Sequence, residues 1–542
     1  MAMDKSYSPL VLVIMDGFGI AYPGPGNAVT LAKTPTWKHL WQDFPHTELA
    51  ASGEAVGLLP HQEGNSEAGH LNIGAGRVVP QDLVIVTQAI RDGTFMKNPA
   101  FEEAAQHLKA RRGRLHLVGL LSSDQSAHSN PEHIRALLRF FRSHQVGPVF
   151  LHLFTDGRDT PQFAGITFLK DLQLELEPHE KVATIMGRFW GMDRKKEWSR
   201  TEHAFSAIAC GTGLASPDAT TAVTSAYARG ESDEFIQPTV IVERNRPIGV
   251  VEDNDAVVFF NARSDRARQL TKAFVQSAFN NANPGAFVRC RVYKNLKFIA
   301  LTDFGPDLGN ILTAYPSPDL RDTLPMVLKE RRQLYIAETD KYAHLTYFFN
   351  GGYSSPVGGE HRILVRSPEV SSYDQSPEMS SDEITTVVEQ NIINSVYDVI
   401  VINYANPDMV AHTGNLQASI KAVEAVDRCL KRLLKVVKKK KGVLVVTADH
   451  GNVEEVINES SGQPDTEHSV NPVPFVLCDF RVPAHAHLAL REGGKLADVA
   501  PTILELFAIH QPEAMTGESL IVKNPKLKVQ MSNEVQSQNI KV

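Results

Sequence analysis

The amino-acid sequence predicts an α/β protein built on mostly parallel sheets. Apolar runs of strand length alternate with helical patterns throughout the chain. Examples of such runs are residues 115–120, 149–153, 256–260 and 398–402. Two more runs, 10–15 and 442–446, end at Asp16 and at Asp449-His450. Open α/β sheets bind ligands at the carboxyl ends of their strands, so these two distant segments predict one shared site.

Length and composition favour a two-domain globular enzyme. The chain has 542 residues, more than one hydrophobic core usually serves, and 42% of them are hydrophobic. Its 55 basic and 62 acidic residues give a net charge of −7, which disfavours a nucleic-acid partner, although a local basic cluster could lie within that average. No apolar stretch approaches the length of a membrane span, so we expect no membrane partner.

The cysteines and the N-terminal residues predict a cytoplasmic protein. The four cysteines are widely spaced and form no CxxC pair, which is typical of reduced, mostly buried thiols. They are Cys210, Cys290, Cys429 and Cys478. The first eight residues include Asp4 and no long apolar segment, so we expect no secretory signal.

The strands that end at Asp16 and Asp449 must meet in space, which predicts a discontinuous first domain with a second domain inserted in it. One crossing is expected near residues 78–81, and the other in the proline-rich stretch 314–319. We therefore expect a first domain formed by residues 1–80 and 317–542, and an inserted domain over residues 81–316.

Another buried run, 399–402, leads to Asp408 and His412. These two residues are four apart, which places both on one face of a helix and suits a divalent metal. An acidic residue in the first turn of a helix, beside an unrelated histidine, explains the spacing equally well. His468 lies in a loop-like segment and, taken alone, resembles a surface histidine. The pair Asp449-His450 is the stronger signal, because charged side chains at the end of an apolar strand need a partner.

Together these segments offer six oxygen or imidazole ligands, which are too many for one closed tetrahedral site and suit two open ones. The six are Asp16, Asp408, His412, Asp449, His450 and His468. Carboxylates and imidazoles without a thiolate favour manganese, zinc, cobalt or iron. Three carboxylates against two divalent cations leave about one positive charge, which attracts an anion such as phosphate.

Ser66 is the candidate nucleophile. It lies between Gly64-Asn65 and a helical pattern, so its hydroxyl could stand at a helix N-terminus, where phosphate is stabilised. The competing interpretation, which spacing alone favours, is that Ser66 or Asn65 only caps the helix. The Gly-x-Ser-x-Gly motif is absent around this serine, which disfavours a hydrolase of the Ser-His-Asp type. A metal ion would therefore have to activate the hydroxyl.

With these residues laid out, the chain resembles the cofactor-independent phosphoglycerate mutases of the alkaline phosphatase superfamily. The resemblance runs from Met15-Asp16-Gly17-Phe18-Gly19 to Asn471-Pro472-Val473-Pro474-Phe475. Its other motifs are Gly64 to Glu67, Thr155 to Thr160, Met192-Asp193-Arg194, Asp340 to His344 and Thr447 to Asn452. It implies an alkaline-phosphatase-like metal domain in two segments with an inserted α/β substrate-binding domain.

The resemblance also implies residue roles at two manganese ions, with other divalent metals possible and no requirement for 2,3-bisphosphoglycerate. One ion would be held by Asp408, His412 and His468. The other would be held by Asp16, Ser66, Asp449 and His450, with Ser66 as the nucleophile and Lys341 as a phosphate-binding lysine. In the inserted domain the substrate contacts would be His128, Arg158, Asp159, Arg188, Arg194, Arg263 and Arg266.

The implied reaction is the interconversion of 3-phosphoglycerate and 2-phosphoglycerate through a phosphoserine. Asp159 is the candidate general acid/base, working with His128. The arginines would retain the glycerate, and domain closure would exclude water. The alternatives are a metal-dependent phosphomonoester hydrolase, which has no use for the arginines, and an inactive metal-stabilised binding protein. The resemblance favours a monomer.

Two segments depart from the family pattern. The family usually has an aromatic residue and a proline where this chain has Ala262 and Ser264. It also has a Gly-Gly pair before the histidine that corresponds to His128, and a second histidine where this chain has Asn130. Both departures spare the proposed substrate contacts.

Overall fold

The computed structural model describes residues 8–305, 307–309, 311–458, 461–482 and 488–522. Its strands are, in chain order, β1 Leu10–Met15, β2 His46–Ala50, β3 Leu115–Leu121, β4 Val149–Thr155, β5 Glu180–Gly187, β6 Leu214–Ser216, β7 Thr239–Glu243, β8 Arg246–Pro247, β9 Ala256–Phe259, β10 Lys297–Thr302, β11 Leu312–Tyr315, β12 Gln333–Glu338, β13 His361–Val365, β14 Val399–Tyr404, β15 Val443–Thr447, β16 Val473–Asp479 and β17 Gly494–Lys495.

Its α-helices are α1 Ala28–Leu31, α2 Pro35–Asp43, α3 Ser66–Ala75, α4 Asp82–Asp92, α5 Pro99–Arg111, α6 Pro131–Ser143, α7 Gly165–Gln173, α8 Arg188–Gly191, α9 Trp198–Cys210, α10 Ala219–Ala228, α11 Arg268–Val275, α12 Phe279–Ala282, α13 Leu324–Val327, α14 Ser381–Ile393, α15 Asn406–Ala411, α16 Leu416–Lys439 and α17 Val499–Leu506. One turn of π-helix spans His344–Phe348. In the described part of the chain, no helix is long and apolar enough to cross a membrane.

The chain divides into two compact units. The outer unit ends its first segment at Pro80 and resumes at Asp319, and the inserted unit is Gln81–Pro318. The second crossing thus lies two residues beyond the one expected from the proline-rich stretch. Each unit has its own sheet and its own hydrophobic core.

The sheet of the outer unit has the strand order β13-β12-β14-β1-β15-β16-β2-β17 over the described residues. Strand β1 lies between β14 and β15 and is parallel to both, with Met15 opposite Tyr404 and Ile14 opposite Thr447. All three strands are fully buried, because helices cover both faces of a parallel sheet, and this explains their uninterrupted apolar sequences. Their carboxyl ends lie side by side at one edge.

The inserted unit is built around a second parallel sheet, in which β11-β10-β9-β3-β4-β5 are parallel neighbours. Strands β3 and β4 are also buried along their whole length. The expected α/β class with parallel sheets is therefore observed in both units.

The expectation of four reduced thiols is wrong for one pair. Cys210 and Cys290 are joined by a disulfide, with Cα atoms 6.6 Å apart, although 80 residues separate them in the chain. Cysteine spacing could not reveal this pairing, because it depends on how the segment after α12 returns to the end of α9. Cys429 and Cys478 are buried free thiols, as expected.

Candidate active site

Three parallel strands of the outer unit deliver three aspartates to one place. Asp16 follows β1, Asp408 lies in α15 just after β14, and Asp449 follows β15. Each of these residues is at most 1% exposed. Burying a carboxylate costs free energy unless it is paired or binds a cation. The buried carboxylate cluster therefore indicates positively charged partners at this place.

Ser66 is the first residue of α3, and its hydroxyl lies against this cluster. The cap of α3 is Asn65, whose side chain accepts a hydrogen bond from the Ala68 N–H (2.9 Å). The hydroxyl of Ser66 is therefore not used as a cap. It donates to Asp16 Oδ1 (3.2 Å) and lies 3.0 Å from His450 Nε2. A nearly buried hydroxyl at a helix N-terminus, beside these groups, is placed to act as a nucleophile.

Lys341 completes the surroundings of the serine. It follows β12, the strand next to β14, and its Nζ donates to Ser66 Oγ (2.7 Å) and Asp408 Oδ2 (2.6 Å). It also pairs with Asp16 Oδ1 at 2.6 Å. Burial alone would lower the pKa of this ammonium, but Asp16 and Asp408 raise it well above its usual range. Lys341 is therefore held as a cation next to the nucleophile.

The histidine geometry fits a metal ion. His412 Nδ1 and His468 Nδ1 each lie 2.7 Å from a backbone carbonyl, so each ring in its neutral form carries its proton there. Both Nε2 atoms then carry lone pairs, yet they lie 3.2 Å apart and within 3.4 Å of Asp408 Oδ1. Lone pairs converge in this way on a cation, and a carbonyl at the second ring nitrogen is the usual support of a metal-bound histidine.

A second group of possible ligands adjoins the first. His450 Nε2 lies 3.4 Å from Asp16 Oδ1 and 3.6 Å from Asp449 Oδ2, besides its contact with Ser66. Burial alone would lower the pKa of His450, but the charges of Asp449 and Asp16 raise it to about 10. The carboxylates thus strongly favour positive charge at this point. The expected set Asp16, Ser66, Asp449 and His450 is brought together, with Asp408 at the border of both groups.

The inserted unit carries an arginine cluster at the carboxyl edge of its own sheet. Arg188, directly after β5, is 2% exposed. Its Nη1 contacts Asp156 Oδ1 (2.6 Å) and Asp159 Oδ2 (2.9 Å), both of which follow β4. Asp159 Oδ2 also accepts from Ser126 Oγ (2.7 Å). Burial would raise the pKa of Asp159, but Arg188 and Ser126 lower it, so the carboxylate is held ionised.

Asp265 contacts two further arginines of the cluster. Arg194 Nη1 donates to Asp265 Oδ2 (2.5 Å), and Arg263 Nε lies 3.4 Å from Asp265 Oδ1. His128 Nδ1 lies 3.9 Å from the same carboxylate, and burial together with Arg188 lowers the pKa of His128 to about 4. His128 is therefore neutral near neutral pH.

Arg266 connects the parts of the cluster. Its Nη1 donates to the Met192 carbonyl at 3.4 Å. Burial and the nearby charges of Arg188 and Arg194 lower its pKa. Arg158 is exposed and lies close enough to act on the same pKa. Five arginines and three aspartates leave a net charge of about two positive, which suits a small ligand with several negative charges. The arginines are Arg158, Arg188, Arg194, Arg263 and Arg266, and the aspartates are Asp156, Asp159 and Asp265.

Comparison with known proteins assigns the chain to a family. A family model described as the metalloenzyme superfamily matches residues 8–511. The 2,3-bisphosphoglycerate-independent phosphoglycerate mutase of Moorella thermoacetica is 45% identical over 521 residues, which cover 95% of this chain and 98% of that protein. Mutase 1 of the same name from Methanosarcina barkeri is 45% identical over 527 residues, 96% and 99% of the two chains. The chain belongs to the 2,3-bisphosphoglycerate-independent phosphoglycerate mutase family.

A solved structure of the family agrees in fold. The crystal structure of Leishmania mexicana phosphoglycerate mutase at low cobalt concentration is 30% identical, with a TM-score of 0.73, and the match covers 96% of this chain and 98% of that one. The fold class and the family resemblance expected from the sequence are thereby confirmed. Membership of a metalloenzyme superfamily, together with the converging ligands, also supports the use of a divalent metal.

The two departures from the family pattern adjoin each other in space. The Ala262 N–H donates to the His128 carbonyl at 2.8 Å, which links the two segments directly. Asn130 has a role of its own, because its side chain accepts from the Glu132 N–H (2.9 Å) and caps α6. A histidine at that position could not cap the helix as well.

Several residues that support the site were missed by sequence reasoning. Asn403 Nδ2 donates to Asp16 Oδ2 (2.6 Å) and to His70 Nε2 (3.0 Å), while His70 Nδ1 lies 3.1 Å from Asp449 Oδ2. Asn452 Nδ2 donates to Asp408 Oδ1 (2.8 Å). Asn403 did carry a signal, since it is a polar residue at the end of an apolar strand. The role of Asp265 could be found only from its contacts.

Proposed function

We propose that the protein interconverts 3-phosphoglycerate and 2-phosphoglycerate through a phosphoserine at Ser66. The observation that carries this proposal is the position of the Ser66 hydroxyl, within 3.2 Å of Asp16, His450 and Lys341 at the meeting point of three strand ends. Its relatives are phosphoglycerate mutases of the 2,3-bisphosphoglycerate-independent type. This supports phosphoglycerate as the substrate and a reaction that does not require 2,3-bisphosphoglycerate.

The metal ligands are proposed as two sets. Asp408, His412 and His468 would hold one ion, and Asp16, Ser66, Asp449 and His450 would hold the other. Ligands of this kind, without a thiolate, suit Mn²⁺ and accept other divalent metals. When bound, the ions would lower the pKa of the serine hydroxyl and offset the negative charge of the phosphoryl group.

Ser66 and Lys341 would carry the transfer itself. Ser66 Oγ attacks phosphorus from the side opposite the glycerate oxygen. The Oγ–P bond forms as the bond from phosphorus to the glycerate oxygen breaks. Lys341 Nζ, 2.7 Å from Oγ, lies where it can bind an oxygen of the phosphoryl group during the transfer. The return step uses the same groups in reverse order, with the other hydroxyl of glycerate as acceptor.

The inserted unit would hold the glycerate between the two transfers. The excess of positive charge in the arginine cluster favours a carboxylate, and the paired arrangement of Arg188 restricts its orientation. Asp159, held ionised by Arg188, is suited to accept the proton of the glycerate hydroxyl that attacks phosphoserine and to pass it to the glycerate oxygen released from phosphorus in the first transfer. Neutral His128 can hydrogen-bond the same hydroxyl. Retention of glycerate distinguishes a mutase from a phosphatase with the same metal site.

We further propose that the protein acts as a cytoplasmic monomer. A reaction on a freely diffusing, highly charged small molecule supports the cytoplasm, and the family resemblance favours a monomer. Sedimentation of the purified protein tests the monomer directly.

The decisive experiment is ³¹P NMR of 3-phosphoglycerate with Mn²⁺-loaded protein and no 2,3-bisphosphoglycerate. A 2-phosphoglycerate resonance that appears with the protein and disappears with EDTA is the expected result. Growth of inorganic phosphate as the main product would instead establish the phosphomonoester hydrolase. If the spectrum does not change while metal binding is intact, the proposed substrate is wrong.

A further inference from the structure

Glu454 is a buried acid outside the expected site, and it accepts hydrogen bonds from several segments at once. It lies in the short 3₁₀ turn Val453–Glu455 and is 3% exposed. Its Oε2 accepts from the backbone N–H groups of Gly19 and Asn452, both at 2.9 Å. Its Oε1 accepts from Asn471 Nδ2 (3.0 Å) and from the hydroxyl of Ser469.

These four donors belong to the three loops that carry most of the proposed metal ligands. Gly19 is in the loop that begins at Asp16, Asn452 follows Asp449-His450, and Ser469 is next to His468. The side chain of Asn452 also donates to Asp408 Oδ1. One carboxylate therefore ties together loops that are more than 400 residues apart in the chain, such as those of Gly19 and Asn452.

We propose that Glu454 is a positioning residue that sets the metal affinity of the site by fixing the positions of these three loops relative to one another. The proposal rests on the ligand sets of the proposed function. Charge-assisted hydrogen bonds to a buried carboxylate are among the stronger ones in proteins, and removing the acceptor leaves buried N–H groups unpaired. Groups that orient metal ligands typically change metal affinity by about 10- to 100-fold when they are replaced.

Two glycines show that the site is built around this carboxylate. A Cβ atom on Gly19 would clash with the carboxylate of Glu454. A Cβ on Gly451 would clash with Glu454 and with the Ser469 hydroxyl. Neither glycine has a positive φ, so other residues could adopt both backbone conformations. What glycine supplies at these two positions is room for the acid to reach the backbone of each loop.

The test compares Glu454→Leu, Glu454→Gln and the control Glu513→Gln in the full-length protein stripped of metal. Mn²⁺ affinity is measured by calorimetry in the absence of substrate. We expect about a 10- to 100-fold loss for Glu454→Leu. The Mn²⁺ affinity of Glu454→Gln should stay within about threefold of that of the unmutated protein. The side-chain carbonyl of the new glutamine can accept from the two backbone N–H groups, and its amide can donate to oxygen atoms of Ser469 and Asn471 after their side chains rotate. Glu513→Gln, at an exposed acid of the same unit, should bind like the unmutated protein.

Thermal unfolding of the metal-free proteins shows whether each variant is folded at the temperature of the calorimetry. If Glu454→Leu has unchanged Mn²⁺ affinity, the proposal is overturned, whatever its melting temperature. Should Glu454→Leu fail to fold, Gly19→Ala displaces the carboxylate from the other side and should weaken Mn²⁺ binding at least about tenfold. Unchanged binding in Gly19→Ala also overturns the proposal. Because no substrate is present, failure of the mutase assignment would leave this result intact.

Discussion

At the scale of single residues, the position of Ser66 depends on its neighbour. Asn65 takes the capping hydrogen bond, so the next hydroxyl is left to face Asp16, His450 and Lys341. The sequence alone allowed either residue to be the cap, and the structure assigns the cap to Asn65. The nucleophilic role of Ser66 remains a prediction, which substitution can test.

Ser66→Ala should abolish the mutase reaction, with a loss of at least about 10³-fold, because no other hydroxyl takes its place in the transfer. Formation of a ³²P-labelled phosphoenzyme should disappear with it. The circular dichroism spectrum should be unchanged, since the cap of α3 is Asn65. Turnover at the original rate in this variant would rule out Ser66 as the nucleophile.

Arg266→Ala should weaken retention of glycerate and so raise the ratio of hydrolysis to transfer by about tenfold or more. The ratio is measured by ³¹P NMR as inorganic phosphate against 2-phosphoglycerate. Arg428→Ala, an exposed arginine on α16 of the outer unit, is the matched control and should leave the ratio unchanged. A higher KM with the same ratio would contradict the retention role.

At the scale of elements, the site exists because three parallel strands end together and α3 packs closely against them. Gly69 of α3 faces the backbone of Asp449, and Gly74 faces that of Phe349, each so closely that a Cβ would clash. Glycine usually weakens a helix interior, so two glycines here indicate that close approach matters more than helix propensity. The approach brings Ser66 to the carboxylates.

Gly74→Ala should therefore destabilise the outer unit by about 2 kcal/mol or more, as overpacking of a tight contact does, even though alanine favours helices. Metal-free thermal unfolding measures the change, and Mn²⁺ affinity should fall in parallel as α3 shifts. Gly309→Ala has no described residue within 4 Å of the new methyl group, apart from its chain neighbours, and serves as the control. Equal melting temperatures for the two variants would show that α3 has room to adjust.

At the scale of the whole molecule, each unit places its charged groups at the carboxyl edge of its own parallel sheet. The inserted unit also buries titratable groups away from that edge. His116 bridges Asp255 Oδ2 (3.0 Å) and His152 (2.9 Å), and His152 lies 3.0 Å from the Thr184 hydroxyl. Burial lowers the pKa values of both histidines, and it lowers that of His133 to about 3.

These pKa values predict loss of stability in mild acid. The folded chain keeps the three histidines neutral, whereas the unfolded chain binds their protons near pH 6.5, so their contribution is complete above that pH and is lost as the pH falls. With its pKa lowered to about 3, His133 should lower the free energy of unfolding by about 1 kcal/mol at pH 5.5, and His116 and His152 should add to this loss. Urea unfolding at pH 7.5 and 5.5 measures this loss. His133→Leu should reduce the pH dependence of the free energy of unfolding, whereas His510→Leu, at an exposed histidine, should leave it unchanged. The same pH dependence in both variants would refute the role of His133.

The sequence by itself determined the class of fold, the family and the identity of the proposed ligands. It could do so because these features are local. An apolar strand that leads within two residues to Asp16 or to Asp449-His450 indicates both the element and the sheet edge at which the side chains meet.

Only the tertiary structure decided which groups support those ligands. Glu454 accepts a hydrogen bond from Gly19, and Asn403 donates one to Asp16; away from these ligands, Cys210 pairs with Cys290. Each contact joins segments far apart in the chain, and neither partner carries a pattern that names the other. Local sequence specifies strands and their ends, whereas the packing of loops against one another depends on the whole fold. The proposed ligands could therefore be named from the sequence, and the groups that contact them could not.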